Sequence, residues 1–114
     1  MSVELKSRTK SFTLSIIDLT EKLNSTSAQR VVQNQLIRSG TSIGANYRAA
    51  CRARSDREFI AKLRIVLEES DESCFWLEII EDKKWLNATS ILKEANELTA
   101  IFVSSIKKMN NKIM

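Results

Sequence analysis

The stretch RSGTSIGANYRAACRARSDREFIAKL, residues 38–63, contains the boundary on which the fold depends. Before the boundary, apolar and small residues recur every three or four positions, which is the period of one face of an α-helix. The segment ARSDREF then interrupts this pattern. Ser55 followed by Glu58 forms a capping box, in which Ser55 accepts a hydrogen bond from an early amide of the next helix and Glu58 reaches back. The stretch therefore predicts two long helices joined by a short turn.

The apolar residues on the two sides of this turn also predict a register. If the chain reverses near Arg54, the numbers of facing residues have a constant sum. Core candidates satisfy this condition at four levels, as Leu36 with Cys74, Ile43 with Leu67, Tyr47 with Leu63 and Ala50 with Ile60. The agreement favours an antiparallel helical hairpin, and it places Cys51 too far from Cys74 for a disulfide.

The same periodicity extends outward in both directions from this hairpin. The chain of 114 residues has no proline and only two glycines, so few positions suit tight β-turns. Short connections between helices favour antiparallel neighbours. We therefore predict an all-α fold, an up-and-down antiparallel four-helix bundle in a single domain, residues 1–114, with helices at about 3–23, 28–53, 56–82 and 88–109.

The composition limits the chemistry that the bundle could perform. The sequence contains no histidine, which excludes Ser-His and Cys-His nucleophile systems and the Glu-x-x-His di-iron sites of other bundles. Both glycines fall inside a predicted helix, so no phosphate-binding loop is present. A carboxylate site for Mg²⁺ or Ca²⁺ within residues 68–82 is a minor alternative to a solvated or paired acidic face. We expect no enzymatic activity, no cofactor and no metal site.

Targeting features are equally few. The segment MSVELKSRTK, residues 1–10, lacks the apolar core of a secretory signal, and no apolar run is long enough to cross a membrane. Two cysteines suit a reducing compartment. We expect a cytoplasmic protein with no membrane partner.

Basic residues of the second predicted helix form a stripe on the face opposite the core, and the stripe continues through the turn. Three interpretations remain open: a solvated face, salt bridges to the acidic residues 68–82 of a neighbouring subunit, and contact with the phosphates of RNA or DNA. Arginine suits phosphate because its guanidinium group forms bidentate hydrogen bonds. The candidate nucleic-acid-binding residues are Arg38, Arg48, Arg52, Arg54 and Arg57.

The third predicted helix carries apolar residues away from its core line. A helix with two apolar sides is expected to bury both, and a four-helix monomer covers only one. We therefore predict a homo-oligomer with Ile65, Trp76 and Ile80 at the subunit interface.

Small and hydrogen-bonding residues within the second helix predict close helix packing, with direct ligand contact as the alternative. Glycine inside a helix costs about 1 kcal/mol relative to alanine, so its presence indicates a packing reason. A buried Asn46 would also fix register, as asparagine does in coiled coils. The packing residues are Ser39, Gly40, Ser42, Gly44 and Asn46.

Residues 35–80 resemble a family of bacterial four-helix-bundle proteins encoded in intervening sequences of large-subunit ribosomal RNA genes, some of which have been called ribosomal proteins. The family motif is Arg-Ser-x-x-Ser-Ile-x-x-Asn, followed by Ser-x-x-Glu-Phe at the start of the next helix. It is matched here by Arg38, Ser39, Ser42, Ile43, Asn46, Ser55, Glu58 and Phe59. After the asparagine, many relatives have Ile-Ala-Glu-Gly where this chain has Tyr47-Arg48-Ala49-Ala50, which makes the helix more basic.

This resemblance implies a ring-like homo-oligomer, a pentamer in particular, with no catalytic residues. The chain is similar also to accessory proteins of diversity-generating retroelements, which are basic pentameric bundles that bind nucleic acid and a reverse transcriptase. The leading hypothesis is a non-enzymatic, homo-oligomeric bundle associated with nucleic acid or a ribonucleoprotein. The alternative is a protein interaction scaffold, for instance for a protein encoded nearby, in which the arginines join subunits.

Overall fold

The structure, a computed structural model, describes residues 3–113. It contains four helices, α1 (Val3–Thr20), α2 (Ser27–Ala50), α3 (Asp56–Asp82) and α4 (Thr89–Ile113). Each helix packs against the next, and α4 returns to contact α1 less extensively. The predicted all-α, up-and-down antiparallel four-helix bundle is confirmed. It is 48 Å long and about 20 Å wide.

The helix bounds differ from the predicted ones at five ends, whereas α3 agrees at both. After α1 and after α2, the backbone continues in tighter turns: Leu23 N–H donates to Thr20 O (3.1 Å) and Ala53 N–H to Ala50 O (3.0 Å). Leu23 and Ala53 still pack against the core. The apolar period therefore extends past the last α-helical residue, because burial does not require α-helical hydrogen bonding.

Of the capping box predicted for the turn between α2 and α3, one of the two hydrogen bonds is observed. Ser55 has an extended backbone and its Oγ accepts from the amide of Glu58 (3.1 Å). The Glu58 carboxylate lies instead 3.7 Å from the guanidinium of Arg54. The cap that starts α3 is thus made by the serine hydroxyl.

The turn after α3 has a left-handed residue that the sequence pattern does not predict. Lys84 has a φ of 58°, in the left-handed region that favours glycine. Its amide donates to Glu81 O and the amide of Trp85 donates to Ile80 O, which is the hydrogen-bonding pattern of a Schellman motif. The motif reverses the chain, and it returns Trp85 and Leu86 to the core.

The predicted register of α2 and α3 is observed. Seven of the eight residues in the four predicted pairs are buried. The exception is Leu67, which is half-buried, while its neighbour Val66 occupies the core. A buried hydrogen bond from Ser73 Oγ to Ser39 Oγ (2.8 Å) links the two helices near their midpoint. The pairing of apolar levels thus located α3 along α2 to within two residues.

Helices α1 and α2 approach each other at the two glycines. A Cβ atom on Gly40 would lie 2.7 Å from Ile16 Cγ2, and one on Gly44 would lie 2.7 Å from Thr13 Oγ1. The hydroxyl of Thr13 donates to the carbonyl of Gly40 (2.8 Å), which joins the helices at the same level. The missing side chains are therefore what permits the contact.

Asn46 has a different role from the predicted one. Its Nδ2 donates to the carbonyl oxygen (3.0 Å) and the hydroxyl (2.7 Å) of Ser42, one turn earlier in the same helix. Because these bonds stay within α2, they do not set the register between helices. That role belongs to Ser39 and Ser73, which are buried and bond across the pair.

Candidate nucleic-acid interface

One end of the bundle collects the start of α1, the end of α2, the start of α3 and the end of α4. A cavity of about 720 Å³ at this end is lined by residues from all four segments, including Leu5, Tyr47, Phe59 and Met109. Lys112 of α4 lies 3.5 Å from Asp56 of α3 at the same end. Segments that are far apart in the sequence therefore share one surface.

This end, hereafter the basic end, comprises residues 3–10, 45–65 and 106–113. These residues include three carboxylates, Glu4, Asp56 and Glu58, and twelve cationic side chains. Each of the four helix ends has a moderate excess of positive charge, from arginines at the end of α2 and the start of α3 and mainly from lysines in α1 and α4. Because the four ends lie together, these excesses add up to a strongly positive surface. The cations are Lys6, Arg8, Lys10, Arg48, Arg52, Arg54, Arg57, Lys62, Arg64, Lys107, Lys108 and Lys112.

The rest of the described chain has the opposite charge balance. Residues 11–44 and 66–105 contain eleven acidic side chains and six basic ones. The net charge of +4 therefore conceals a separation of charge along an axis of 48 Å. This length is several times the screening distance of about 8 Å at physiological salt, so each end presents its own field to a partner.

Four of the five predicted arginines lie together at the basic end. Arg48, Arg52, Arg54 and Arg57 are exposed. Arg54 has Glu58 as a neighbour at 3.7 Å, whereas the other three make no ion pair with a described residue. These guanidinium groups are free to meet phosphate.

Arg38 is separated from those four. It lies at the middle of α2, where Nη1 donates to Glu69 (2.9 Å) and Nη2 donates to Glu72, both on α3. Two carboxylates of its own chain engage the donors of Arg38, so its contact with phosphate stays a prediction that this pairing disfavours.

Glu72 links Arg38 to Trp76, whose indole Nε1–H donates to the same carboxylate (3.1 Å). Partial burial works to raise the pKa of Glu72. The hydrogen bonds from Arg38 and Trp76, together with the charge of Arg38, outweigh it and hold that pKa below its ordinary value. The acidic face of α3 is thus partly neutralised within the chain.

Two lysines of α1, which the sequence pattern does not single out, also belong to the candidate interface. Lys6 and Lys10 line a groove of about 510 Å³ between α1 and α2, opposite Arg48. Pairing the levels of α1 and α2 in the way used for α2 and α3 would have identified Lys6 and Lys10. Gly44 packs beside Thr9 and Thr13, so the lysines next to these threonines lie near Arg48. The groove is formed by two helices, so neither helix shows it alone.

The predicted subunit interface is only partly at the surface. Ile65 is 43% exposed, but Ile80 is completely buried in the core. Placing Ile80 at a subunit interface was therefore wrong. Phe75, which the sequence analysis passed over, is 52% exposed and contacts Trp76 edge to face, with ring centroids 4.9 Å apart. The exposed apolar face of α3 thus consists of Ile65, Phe75 and the half-buried Trp76.

Within residues 3–113, no group of three or more carboxylate or cysteine side chains is arranged to hold a metal ion. Both cysteines are free. Burial raises the pKa of Cys74, whose sulfur contacts the Thr99 hydroxyl, so this thiol is not activated as a nucleophile. None of the described helices is long and apolar enough to cross a membrane.

The fold and the basic end define a small four-helix bundle with a polarised surface. The sequence model of the 23S rRNA-intervening sequence protein family matches residues 2–107. The chain belongs to this family, as its resemblance in residues 35–80 predicted.

A solved structure supports the same assignment. The chain is similar to a protein of unknown function from the S23 ribosomal protein family of Bacteroides thetaiotaomicron, with 35% identity and a TM-score of 0.82. The similarity covers 90% of this chain and 97% of that protein. No curated protein matches the sequence.

Proposed function

We propose that this chain is a non-enzymatic, nucleic-acid-associated member of the family and that it contacts the phosphate backbone through the basic end. The observation that carries the proposal is the gathering of twelve cationic side chains on one end of the bundle, nine of which form no ion pair with a described residue. Phosphates attract such a surface electrostatically, and each cation that replaces a condensed counterion favours binding by releasing it.

The basic end supports backbone contact rather than reading of bases. Its free groups are arginines and lysines, which suit phosphate oxygens. Tyr47, the aromatic residue of α2, is buried and contacts Phe102 in the core, with ring centroids 6.1 Å apart and the rings tilted by 31°. It offers no platform for base stacking, so we expect binding that depends strongly on salt and weakly on sequence.

The test is fluorescence anisotropy with a labelled single-stranded RNA of about 20 nucleotides, at several salt concentrations between about 50 and 200 mM. For Arg48→Ala/Arg52→Ala, we expect weaker binding and a plot of log affinity against log salt that is shallower by about 1.4, since each single-strand phosphate contact contributes about 0.7. The matched control is Lys22→Ala/Lys93→Ala, which removes two cations outside the basic end. Equal losses in the two variants, or no salt-sensitive binding by the unaltered protein, would contradict the proposal.

A second candidate function is a protein scaffold, favoured by the exposed apolar face of α3. In this alternative the arginines of one subunit pair with the acidic residues 68–82 of the next, and the partner is another protein. Arg48→Ala/Arg52→Ala would then lower the assembly mass and leave RNA binding absent throughout.

We propose further that the protein forms a homo-oligomer and acts in the cytoplasm without a cofactor. The family resemblance favours a pentamer. Ile65, Phe75 and Trp76 support self-association because a face of large exposed apolar side chains is typical of an interface.

A further inference from the structure

The groove between α1 and α2 has the properties of a specific phosphate site rather than of a general basic surface. We propose that it binds the sugar–phosphate backbone of a single nucleic acid strand, with Lys6 and Lys10 on one wall and Arg48 on the other. This inference rests on the proposed function and names the part of the basic end that holds the ligand. The lining residues are Lys6, Ser7, Lys10, Thr13, Thr41, Gly44, Ala45 and Arg48.

The groove is open because its floor is made of small residues. Gly44 has no side chain and Ala45 has only a methyl group, while longer side chains rise from both helices. Close approach at Gly44 brings α1 and α2 together at the floor, where an added Cβ would meet Thr13 Oγ1 at 2.7 Å. The glycine that allows the helices to pack therefore also shapes the groove above the contact.

The charge of the groove is of one sign. Its lining includes three cations and no carboxylate, and these cations make no ion pair with another described residue. The neighbouring groove between α1 and α4 differs, because Glu94 and Glu97 line it. Arg8 lies 2.7 Å from Glu94 and 3.7 Å from Glu97. Of these two grooves, only the one between α1 and α2 offers an anion uncompensated positive charge.

Few neutral donors compete with the cations for the ligand. The hydroxyl of Thr13 donates to Gly40 O (2.8 Å), and that of Thr41 donates to Ile37 O (2.7 Å). Both protons are therefore already used in bonds to backbone carbonyls, and the Ser7 hydroxyl is the remaining neutral side-chain donor of the lining. Recognition in the groove depends mainly on charge, which suits phosphate oxygens and carries no base preference.

The dimensions favour one strand over a duplex. Packed helices have axes about 8–10 Å apart, and Lys6 and Lys10 are about 6 Å apart along α1, so a backbone lying between the helices is contacted from both walls. A volume of about 510 Å³ is that of a small-ligand site. A duplex could rest only on the rim, whereas a charged groove that follows a single backbone is a recurrent solution for single strands.

The test inserts a carboxylate into the groove at Ala45, which is exposed and is followed one turn later by Arg48. Ala45→Glu is expected to weaken binding of a labelled single-stranded RNA of about 12 nucleotides by about tenfold or more at low salt, because the new carboxylate repels phosphate and pairs with Arg48. Ala45→Gln has the same shape without charge, and Ala100→Glu adds the same charge at an exposed position of α4. Ala100→Glu is expected to stay within about twofold of the unaltered protein. Because a longer side chain at position 45 also fills the floor of the groove, Ala45→Gln is expected to weaken binding less than Ala45→Glu does, and the difference between these two variants measures the effect of the charge.

The outcomes separate this inference from the proposed function. If Ala45→Glu binds as well as Ala100→Glu while Arg48→Ala/Arg52→Ala binds weakly, the groove is not the site although the basic end is. If the unaltered protein binds no nucleic acid, both proposals fail. Equal affinity for the RNA and for its duplex would overturn the preference for one strand, and displacement of the RNA by millimolar inorganic phosphate would indicate a site for small phosphates instead. Thermal melting of each variant verifies folding.

Discussion

At the scale of single residues, the contrast between Arg38 and Arg48 shows what decides whether an arginine is available. Both lie on the exposed side of α2, but Arg38 donates to two carboxylates of α3, while Arg48 lines an uncompensated groove. Exposure alone therefore does not define a binding residue. The position of carboxylates on the neighbouring helix does.

The Arg38–Glu72–Trp76 contact predicts a pH dependence of stability. The pKa of Glu72 is lower in the folded protein than in the unfolded chain, so its stabilising contribution is complete at neutral pH and is lost as the pH falls through the folded-state pKa. Glu72→Gln should lower the free energy of unfolding at pH 7 by roughly 0.2–1 kcal/mol, the range of exposed ion pairs. Chemical denaturation at a series of pH values should show this difference closing below about pH 4.

The control for the loss of one negative charge is Glu68→Gln, on the same helix and outside this contact. A difference between Glu72→Gln and the unaltered protein that stays constant down to pH 2 would show that the carboxylate charge is not what stabilises the contact.

At the scale of helices, the pairing of α1 with α2 depends on residues that lack side chains. Ile16 is completely buried against Gly40, and Thr13 bonds to the carbonyl of the same glycine. Glycine weakens an isolated helix, so the packing that it permits must outweigh this intrinsic cost.

Gly40→Ala therefore should destabilise the protein although alanine is the better helix former. The new methyl group would lie 2.7 Å from Ile16 Cγ2, and relieving that overlap requires a shift of a buried side chain or of the helices. We expect a loss of about 1–3 kcal/mol in the free energy of unfolding, measured by urea denaturation.

Ala45→Gly, at an exposed position of the same helix, measures the intrinsic difference between the two residues and should cost about 1 kcal/mol. If Gly40→Ala were instead more stable than the unaltered protein by that amount, the close approach of α1 and α2 would not constrain this position.

At the scale of the whole molecule, the antiparallel topology converts local charge excesses into a charged end. No single helix carries this pattern, because each contributes only the residues of its one terminus. Exposed large apolar side chains lie on all four helices, and two of them, Ile65 and Phe75, lie on α3. Phe75 and Trp76 lie outside the basic end, whereas Ile65 lies at its edge.

Self-association gives a prediction for the molecular mass. Light scattering after size exclusion should give a mass several times that of one 13.0 kDa chain. Trp76→Ala and Phe75→Ala should reduce it, because truncating an aromatic anchor removes much of the energy of an interface. Leu14→Ala, which truncates an exposed apolar residue of α1, should leave the mass unchanged. The predicted interface on α3 would be contradicted if the unaltered protein had the mass of a single chain, or if the assembly persisted in both aromatic variants.

Local patterns were sufficient for the fold. The hydroxyl of Ser55 predicted the start of α3, and the apolar levels from Leu36 to Ala50 predicted its register, because both depend on neighbours in the sequence or on a single reversal of the chain. The candidate site was predicted less completely. Arg48, Arg52, Arg54 and Arg57 were found on one helix and its turn, whereas Lys6 and Lys10 come from another helix.

The sequence by itself determined the helices, their order and the family, since periodicity, caps and a motif spanning one hairpin are local properties of the chain. Tertiary structure alone decided that Arg38 is paired with two carboxylates, that Ile80 is completely buried, and that lysines of α1 and Arg48 of α2 line the same groove. Each of these depends on which side chains of different helices lie at the same level. The helical period specifies which face of a helix is buried, but the charge and depth of a surface are set by the neighbour that packs beside it.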